Sequence, residues 1–123
     1  GILAAIAIPN YQEYITRSKR SEGTALLSQA AAMQERFFAQ NNSYVISNDD
    51  LGKLALPKAP VNNTVPSENR YYALTVSSVA ADGGYTLTAT QSIGDADCGN
   101  LTLNAIGVKG RTGAGKTIEQ CWK

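Results

Sequence analysis

Residues 110–117 read GRTGAGKT and satisfy the GxxxxGK[ST] pattern of a phosphate-cradling loop letter for letter, with Gly110, Gly115, Lys116 and Thr117 in the named places. That chemistry needs a strand entering the loop and a full helix leaving it, so that backbone N–H groups and the helix N-terminus face the phosphates. Only six residues follow Thr117, one of them a cysteine, and no strand remains downstream to carry an acidic magnesium partner. The stretch reads instead as a Gly-rich turn between the last strand and Cys121, and no nucleotide is expected as a ligand. Asp95 and Asp97 are the other pair with ligand chemistry. Two carboxylates fall short of the six to eight oxygens that calcium takes, so a solvated loop is the stronger reading.

The 123 residues contain no histidine. This removes the Ser-His and Cys-His nucleophile pairs, the common zinc sets and the usual general base, so an enzyme is not expected and neither is a cofactor. Cys98 and Cys121 have no CxxC spacing and no histidine nearby in sequence, which leaves a disulfide or two reduced thiols. A disulfide would close a loop of about 24 residues, worth roughly 3 to 3.5 kcal/mol in the chain-entropy model, and would imply an oxidising compartment. The net charge of +1 conceals an imbalance. From Cys98 onward Lys109, Arg111, Lys116 and Lys123 face only Glu119, while the rest of the chain is acidic by two. Lys109, Arg111 and Lys116 are therefore candidate DNA contacts, with an ordinary solvated loop as the alternative. Asn41, Asn62 and Asn100 each begin an N-x-[ST] sequon.

The elements that must carry these residues follow from pattern. GILAAIAIP is apolar all round and too short to span a bilayer, which needs about 20 residues. It reads as the end of a longer apolar helix, with a signal-peptide remnant or a buried core segment as alternatives; Gly1 at the start and Met33 as the sole methionine suggest a processed chain. Residues 10–40 carry no proline and are rich in helix formers. Tyr11, Tyr14, Ile15, Ser18, Leu26, Ala30, Met33 and Phe37 fall on one face, interrupted by Glu22. That face is strongly apolar only from Ala25 onward. Pro9 is expected to kink the helix and Gly23 to weaken it by about 1 kcal/mol. A helix of about 40 residues is roughly 60 Å long, whereas the remaining 80 or so residues make a body about 30 Å across. Either half the helix projects and needs apolar partners, or it breaks at Pro9 or Gly23 and folds back.

Residues 41–69 are rich in Asn, Ser and Pro and read as a connection with one short helix near Asp49 to Leu54. RYYALTVSSV and YTLTATQS, joined by Ala81-Asp82-Gly83-Gly84, predict a hairpin whose core faces carry Tyr72, Leu74 and Val76, and Tyr85, Leu87 and Ala89. LTLNAIGVKG supplies a third strand from Leu101, with a turn near Asn104 leading to a fourth. The fold class is α+β: a long N-terminal helix with its C-terminal half packed on a single antiparallel sheet of about four strands.

GILAAIAIP-x-Y, the helix continuation EGTALLSQAAAMQERFFAQNNSY, the strands and the ending from CGNLTLNAIGVKG to CW together resemble the type IV pilins over essentially the whole chain, and among them the PilE-type minor pilins. The resemblance implies a subunit processed by a prepilin peptidase and held in the inner membrane before assembly. It would then be packed with other pilins into an extracellular pilus, or fimbrium, serving twitching motility, adhesion or DNA uptake. Its partners would be other pilin subunits and the inner-membrane assembly machinery. On this reading residues 1–24 project as the filament segment and 25–123 form the head, with Cys98 and Cys121 bounding the 98–121 disulfide loop. Ile2, Leu3, Ile6, Ile8 and Pro9 would pack in the filament, with Tyr11, Tyr14 and Ile15 forming the transition to the head. The methylated N-terminal Phe and nearby Glu of a full mature pilin have no counterpart in these residues. The alternatives are a DNA-uptake pilin using Lys109, Arg111 and Lys116, or a secretion-system pseudopilin.

Overall fold

A single helix, α1, takes up 40 residues from Ile2 to Asn41. The computed structural model describes the backbone from Ile2 to Lys123 and the side chains from Tyr11 onward. The filament-packing roles expected of the Ile2, Leu3, Ile6, Ile8 and Pro9 side chains, and the reading of Gly1, therefore lie outside the described residues. α1 passes through both Pro9 and Gly23 as one element, so the hairpin alternative does not occur. Among the described residues no helix is long and apolar enough to cross a membrane.

The buried stripe of α1 is made of Arg20, Gly23, Leu26, Leu27, Ala30 and Gln34, at helical spacing. Leu26 and Ala30 belong to the expected face. Met33 and Phe37 pack against the edge of the core, and the true centre is turned toward Leu27 and Gln34. An apolar count misses this because two members of the stripe are polar and one has no side chain. Gln34 is buried because its amide behaves like a strand partner: Nε2 donates to the Val45 carbonyl at 2.7 Å, and Oε1 accepts from the Val45 N–H at 2.9 Å. Both polar ends are satisfied, and the reversal after α1 is held in place.

A 3-10 helix, Asn48–Leu54, follows and buries Leu51 and Leu54; the Ser47 side chain caps it by accepting from the Asp49 N–H. Five strands then form one antiparallel sheet in chain order: β1 (Val65–Pro66), β2 (Tyr72–Ser77), β3 (Thr86–Gln91), β4 (Leu101–Asn104) and β5 (Lys109–Arg111). The register places Leu74 opposite Ala89, and Ala89 opposite Leu101. Cross-strand partners share a face, so Tyr72, Leu74, Val76, Leu87, Ala89, Leu101 and Leu103 form one apolar surface, all of them buried. α1 covers this surface, contacting β2, β3 and β4. The expected turn after Asn104 does return as β5. The strand not expected is β1, a two-residue edge in the proline-rich connection, where Pro66 is tolerated because an edge strand has a free N–H side. A short helix, α2 (Ile118–Cys121), ends on the disulfide, which joins Cys98 and Cys121 with Cα atoms 5.7 Å apart.

Gly23 is where helix and sheet come closest. A Cβ there would stand 2.9 Å from three ring atoms of Tyr72, whose side chain is fully buried. Alanine would gain about 1 kcal/mol of helix propensity, but overpacking a filled core costs about 1–3 kcal/mol. Gly23→Ala is expected to lower the denaturation midpoint, measured by circular dichroism. A raised midpoint would show that the ring is free to move aside.

Candidate functional site

The outer part of α1 turns solvent-facing as it leaves the sheet. Tyr11 and Tyr14 are 62% and 65% exposed, and Ile15 is half-buried. Below them a groove of about 840 Å³ runs between α1 and the connection, lined among others by Tyr14, Ile15, Leu26, Leu56, Val65 and Tyr71. Glu22, the residue that interrupts the apolar face, is held at this groove. Its carboxylate accepts from the Ser67 hydroxyl, from the Asn69 N–H at 3.1 Å and from Asn69 Nδ2 at 2.7 Å. Burial pushes its carboxyl up, but the bonds from Ser67 and Asn69 outweigh it, so it lies below the usual carboxylate range. Ser67 Oγ in turn accepts from the Tyr72 N–H at 3.0 Å, so Glu22 joins α1 to the entry of β2.

Packing of α1 begins more than a turn before Ala25, at Arg20. Its guanidinium grips Asp95 in a two-pronged pair, Nε to Oδ2 at 2.6 Å and a second nitrogen to Oδ1 at 2.9 Å, with 5% and 2% of the two side chains exposed. Asp95 Oδ1 also accepts from the Cys98 N–H at 3.2 Å. Burial alone would raise the Asp95 carboxyl; Arg20 and the Cys98 N–H overcome this and hold it below its ordinary value. The solvated-loop reading is thus wrong for Asp95, and its oxygens are already occupied by the arginine, whereas Asp97 is exposed. Burial likewise pushes the Tyr72 phenol up to about 12, and its hydroxyl has no hydrogen-bond partner.

The three candidate DNA contacts have different surroundings. Lys109 is exposed, 5.3 Å from the centre of the Trp122 ring, whose Nε1 donates to the Gly110 carbonyl at 3.0 Å. Arg111 lies two residues along β5 on the same side, its Nε donating to the Lys116 carbonyl. Both are paired with the buried Leu103 and Leu101, so they lie on the face that carries α1, on the edge strand. Lys116 folds back to α1, its Nζ 3.1 Å from Glu13 Oε1, and this contact holds the Glu13 carboxyl below its ordinary value. Arg17 and Lys123 line the same small cleft as Lys116 and Glu13. Sequence reading missed Arg17 because it is far from the basic segment along the chain and only the fold brings it there.

The GRTGAGKT donors are used within the loop. The Thr112 N–H bonds the Asn100 carbonyl at 3.0 Å, Gly113 the Cys98 carbonyl at 2.8 Å, Gly115 the Asp97 carbonyl at 3.0 Å, and Thr117 the Gln120 side chain at 2.9 Å. Gly110 is a strand residue in β5, and the helix that follows has four residues. A Cβ at Gly113 or Gly115 would collide with Asp97. The glycines are there for close packing across the disulfide loop, and no row of N–H groups is left to cradle a phosphate.

A long helix laid across an antiparallel sheet, with its last strand tied down by a disulfide, is the architecture of a type IV pilin. Residues 9–102 match the family model described as "Type IV minor pilin ComP, DNA uptake sequence receptor", and the chain belongs to this family of type IV pilins. It is 33% identical over 82 residues to the type IV major pilin protein PilA of Myxococcus xanthus (strain DK1622), covering 67% of this chain and 32% of the relative. It is 42% identical over 70 residues to the type IV major fimbrial protein FimA of Dichelobacter nodosus, covering 47% of this chain and 42% of the relative. The chain thus spans less than half the length of either relative.

Removing one partner of a buried ion pair leaves the other charge unpaired and costs about 3–5 kcal/mol, whereas replacing both by apolar groups is often near neutral. Asp95→Ala is therefore expected to destabilise strongly, and Arg20→Met with Asp95→Leu to recover most of the loss in urea unfolding. Because the Asp95 carboxyl is lowered in the fold, its stabilisation is complete above the ordinary carboxylate range and is lost as the pH falls toward its native value. Melting curves between pH 7 and 3 should show a smaller acid loss in the double variant than in the parent.

Proposed function

We propose that this protein is a structural, non-enzymatic subunit of a type IV pilus, packed through α1 into a helical filament on the cell surface. The observation that carries the reading is a 40-residue helix whose packed stripe begins only at Arg20, with Tyr11 and Tyr14 exposed beyond it. Ile2, Leu3, Ile6, Ile8 and Pro9 then serve as the filament-packing segment. Tyr11, Tyr14 and Ile15 lead into the head, and the boundary between filament segment and head, expected at residue 24, falls back to Arg20, where packing on the head begins. Membership of a pilin family and the printed names of the two relatives, a pilin and a fimbrial protein, support it. Before assembly the inner membrane holds the subunit, where the pilus machinery takes it up. An interface formed by unlike surfaces does not close on itself, which is what filament growth requires.

A second reading is favoured by the description of the matching family, a DNA uptake sequence receptor. In it Lys109, Arg111 and Lys116 contact phosphates, with Arg17 and Lys123 extending the basic cleft. The family match ends at residue 102, before any of the first three, so this reading rests on charge and placement.

Filament membership is tested by shearing pili from cells and quantifying this chain by mass spectrometry. It should be present in the sheared fraction, and gene deletion should reduce piliation or twitching; absence together with unchanged motility refutes the reading. For DNA, mobility shifts at rising salt should give weak binding whose salt slope falls by about one for each phosphate-contacting cation removed. Binding unaffected by Lys109→Ala with Arg111→Ala would rule these residues out.

A further inference from the structure

The start of α1 is graded by polarity. Residues 1–9, GILAAIAIP, carry no charge; Tyr11 and Tyr14 follow, both exposed, and Glu13 and Arg17 are the first charges on the helix. Apolar run, tyrosines, then cations is the order found where a helix leaves a bilayer, because tyrosine has a ring for the apolar side of the boundary and a hydroxyl for the wet side. With 1.5 Å of rise per residue, Glu13 stands about 6 Å beyond Pro9 and Arg17 about 12 Å. The headgroup layer on each side of the hydrocarbon is about 5–7 Å thick. Side chains on a helix lean toward its N-terminus, which brings the Arg17 guanidinium back toward that layer.

The head reaches down to the same level. Lys116 Nζ is 3.1 Å from Glu13 Oε1, and these two residues line a cleft of about 160 Å³ with Arg17, Arg20, Gln120 and Lys123. Arg20 is neutralised by Asp95, so three cations remain against the one carboxylate of Glu13. That carboxylate is 60% exposed, and an exposed pair of this kind is worth little, which leaves Lys116 free to be shared with a second anion. Asp97 lies on the far side of Lys116, in a separate depression. Lys19 faces the groove, 5.1 Å from the centre of the Tyr71 ring, and Lys109 and Arg111 sit on the β5 edge outside the cleft.

We propose that, while the inner membrane holds the subunit, this cleft takes the phosphate of an anionic phospholipid headgroup, with Arg17, Lys116 and Lys123 as its donors. The proposal rests on the membrane stage of the reading above and adds a contact to it. A nucleic-acid phosphate has the same chemistry, and position decides between the two. The cleft lies at the foot of the head, beside the segment of α1 that enters the bilayer, whereas the DNA reading depends first on Lys109 and Arg111 at the sheet edge. Cations gathered on one side of an emerging helix act as interfacial anchors and set its tilt, so the lipid draws that side of the head toward the surface.

The test titrates the full-length subunit, held in a non-ionic detergent, with phosphatidylglycerol and with phosphatidylcholine of the same acyl chains, and counts bound lipid by native mass spectrometry. Phosphatidylglycerol should bind more tightly by about fivefold or more, as one or more cations at a charged lipid surface provide. Arg17→Gln with Lys116→Gln should abolish the preference, Lys123→Gln alone should lose part of it, and Lys109→Gln should keep it. The melting midpoint of each variant by circular dichroism should match that of the parent, since none of these side chains belongs to the core. Equal affinity for the two lipids, a preference that survives the double substitution, or one lost on Lys109→Gln overturns the contact. So does displacement of the lipid by millimolar inorganic phosphate or by a DNA duplex, either of which gives the cleft to another ligand. Recovery of the subunit outside the membrane fraction of cells blocked in pilus assembly refutes the membrane stage and the contact together. A membrane-held subunit that shows no lipid preference refutes the contact alone.

Discussion

The buried pair between Arg20 and Asp95 is the joint on which the head is organised. Taking an arginine and a carboxylate out of water costs several kcal/mol each, and the geometry compensates with two short charge-assisted bonds plus a third from the Cys98 N–H. Each member belongs to a different part of the chain: Arg20 to the helix where it leaves the sheet, Asp95 to the segment that leads into the disulfide. From Cys98 the bridge to Cys121 holds α2, and the loop before α2 returns Lys116 to Glu13 on the same helix. The last quarter of the chain is thereby closed against α1 at two places, although it is mostly irregular.

Much of this was legible from residues alone. The length of α1, its conflict with the size of the head, the β2–β3 hairpin and its alternating core, and the turn after Asn104 all follow from periodicity and turn chemistry, because those signals are local. The face of α1 was harder to place. Arg20 and Gln34 are buried because distant partners satisfy them, and Gly23 because a ring from β2 occupies the place of its side chain; none of these partners is visible within a helical window. The same limit explains Asp95, whose environment depends on a residue 75 positions away, and Arg17, which reaches the basic segment only through the fold. β1 escaped notice because two residues in a proline-rich stretch carry no period.

GRTGAGKT shows the opposite error, a local signal too strong for its context. The spacing of small residues that lets a backbone wrap a phosphate also lets it press against Asp97 and turn back to a disulfide. What separates the two is the destination of the N–H groups, and here each of those at 112, 113, 115 and 117 ends on an acceptor of the protein itself. Identical letters thus serve two kinds of close approach, one to a ligand and one to a neighbouring segment.

The stripe that seats α1 on the sheet begins with Arg20 and ends with Gln34, and the buried residues between them, Gly23, Leu26, Leu27 and Ala30, are small or aliphatic. Leucine and alanine packing tolerates a slide along the helix axis, since one aliphatic surface resembles the next. The directional bonds of Arg20 to Asp95 and of Glu22 to Ser67 and Asn69 do not, because a shift of one residue would leave both charges without their partners. The helix is therefore locked in axial register. A pull along α1 would be carried into the head through these bonds, so that helix and head would bear an axial load as a single body.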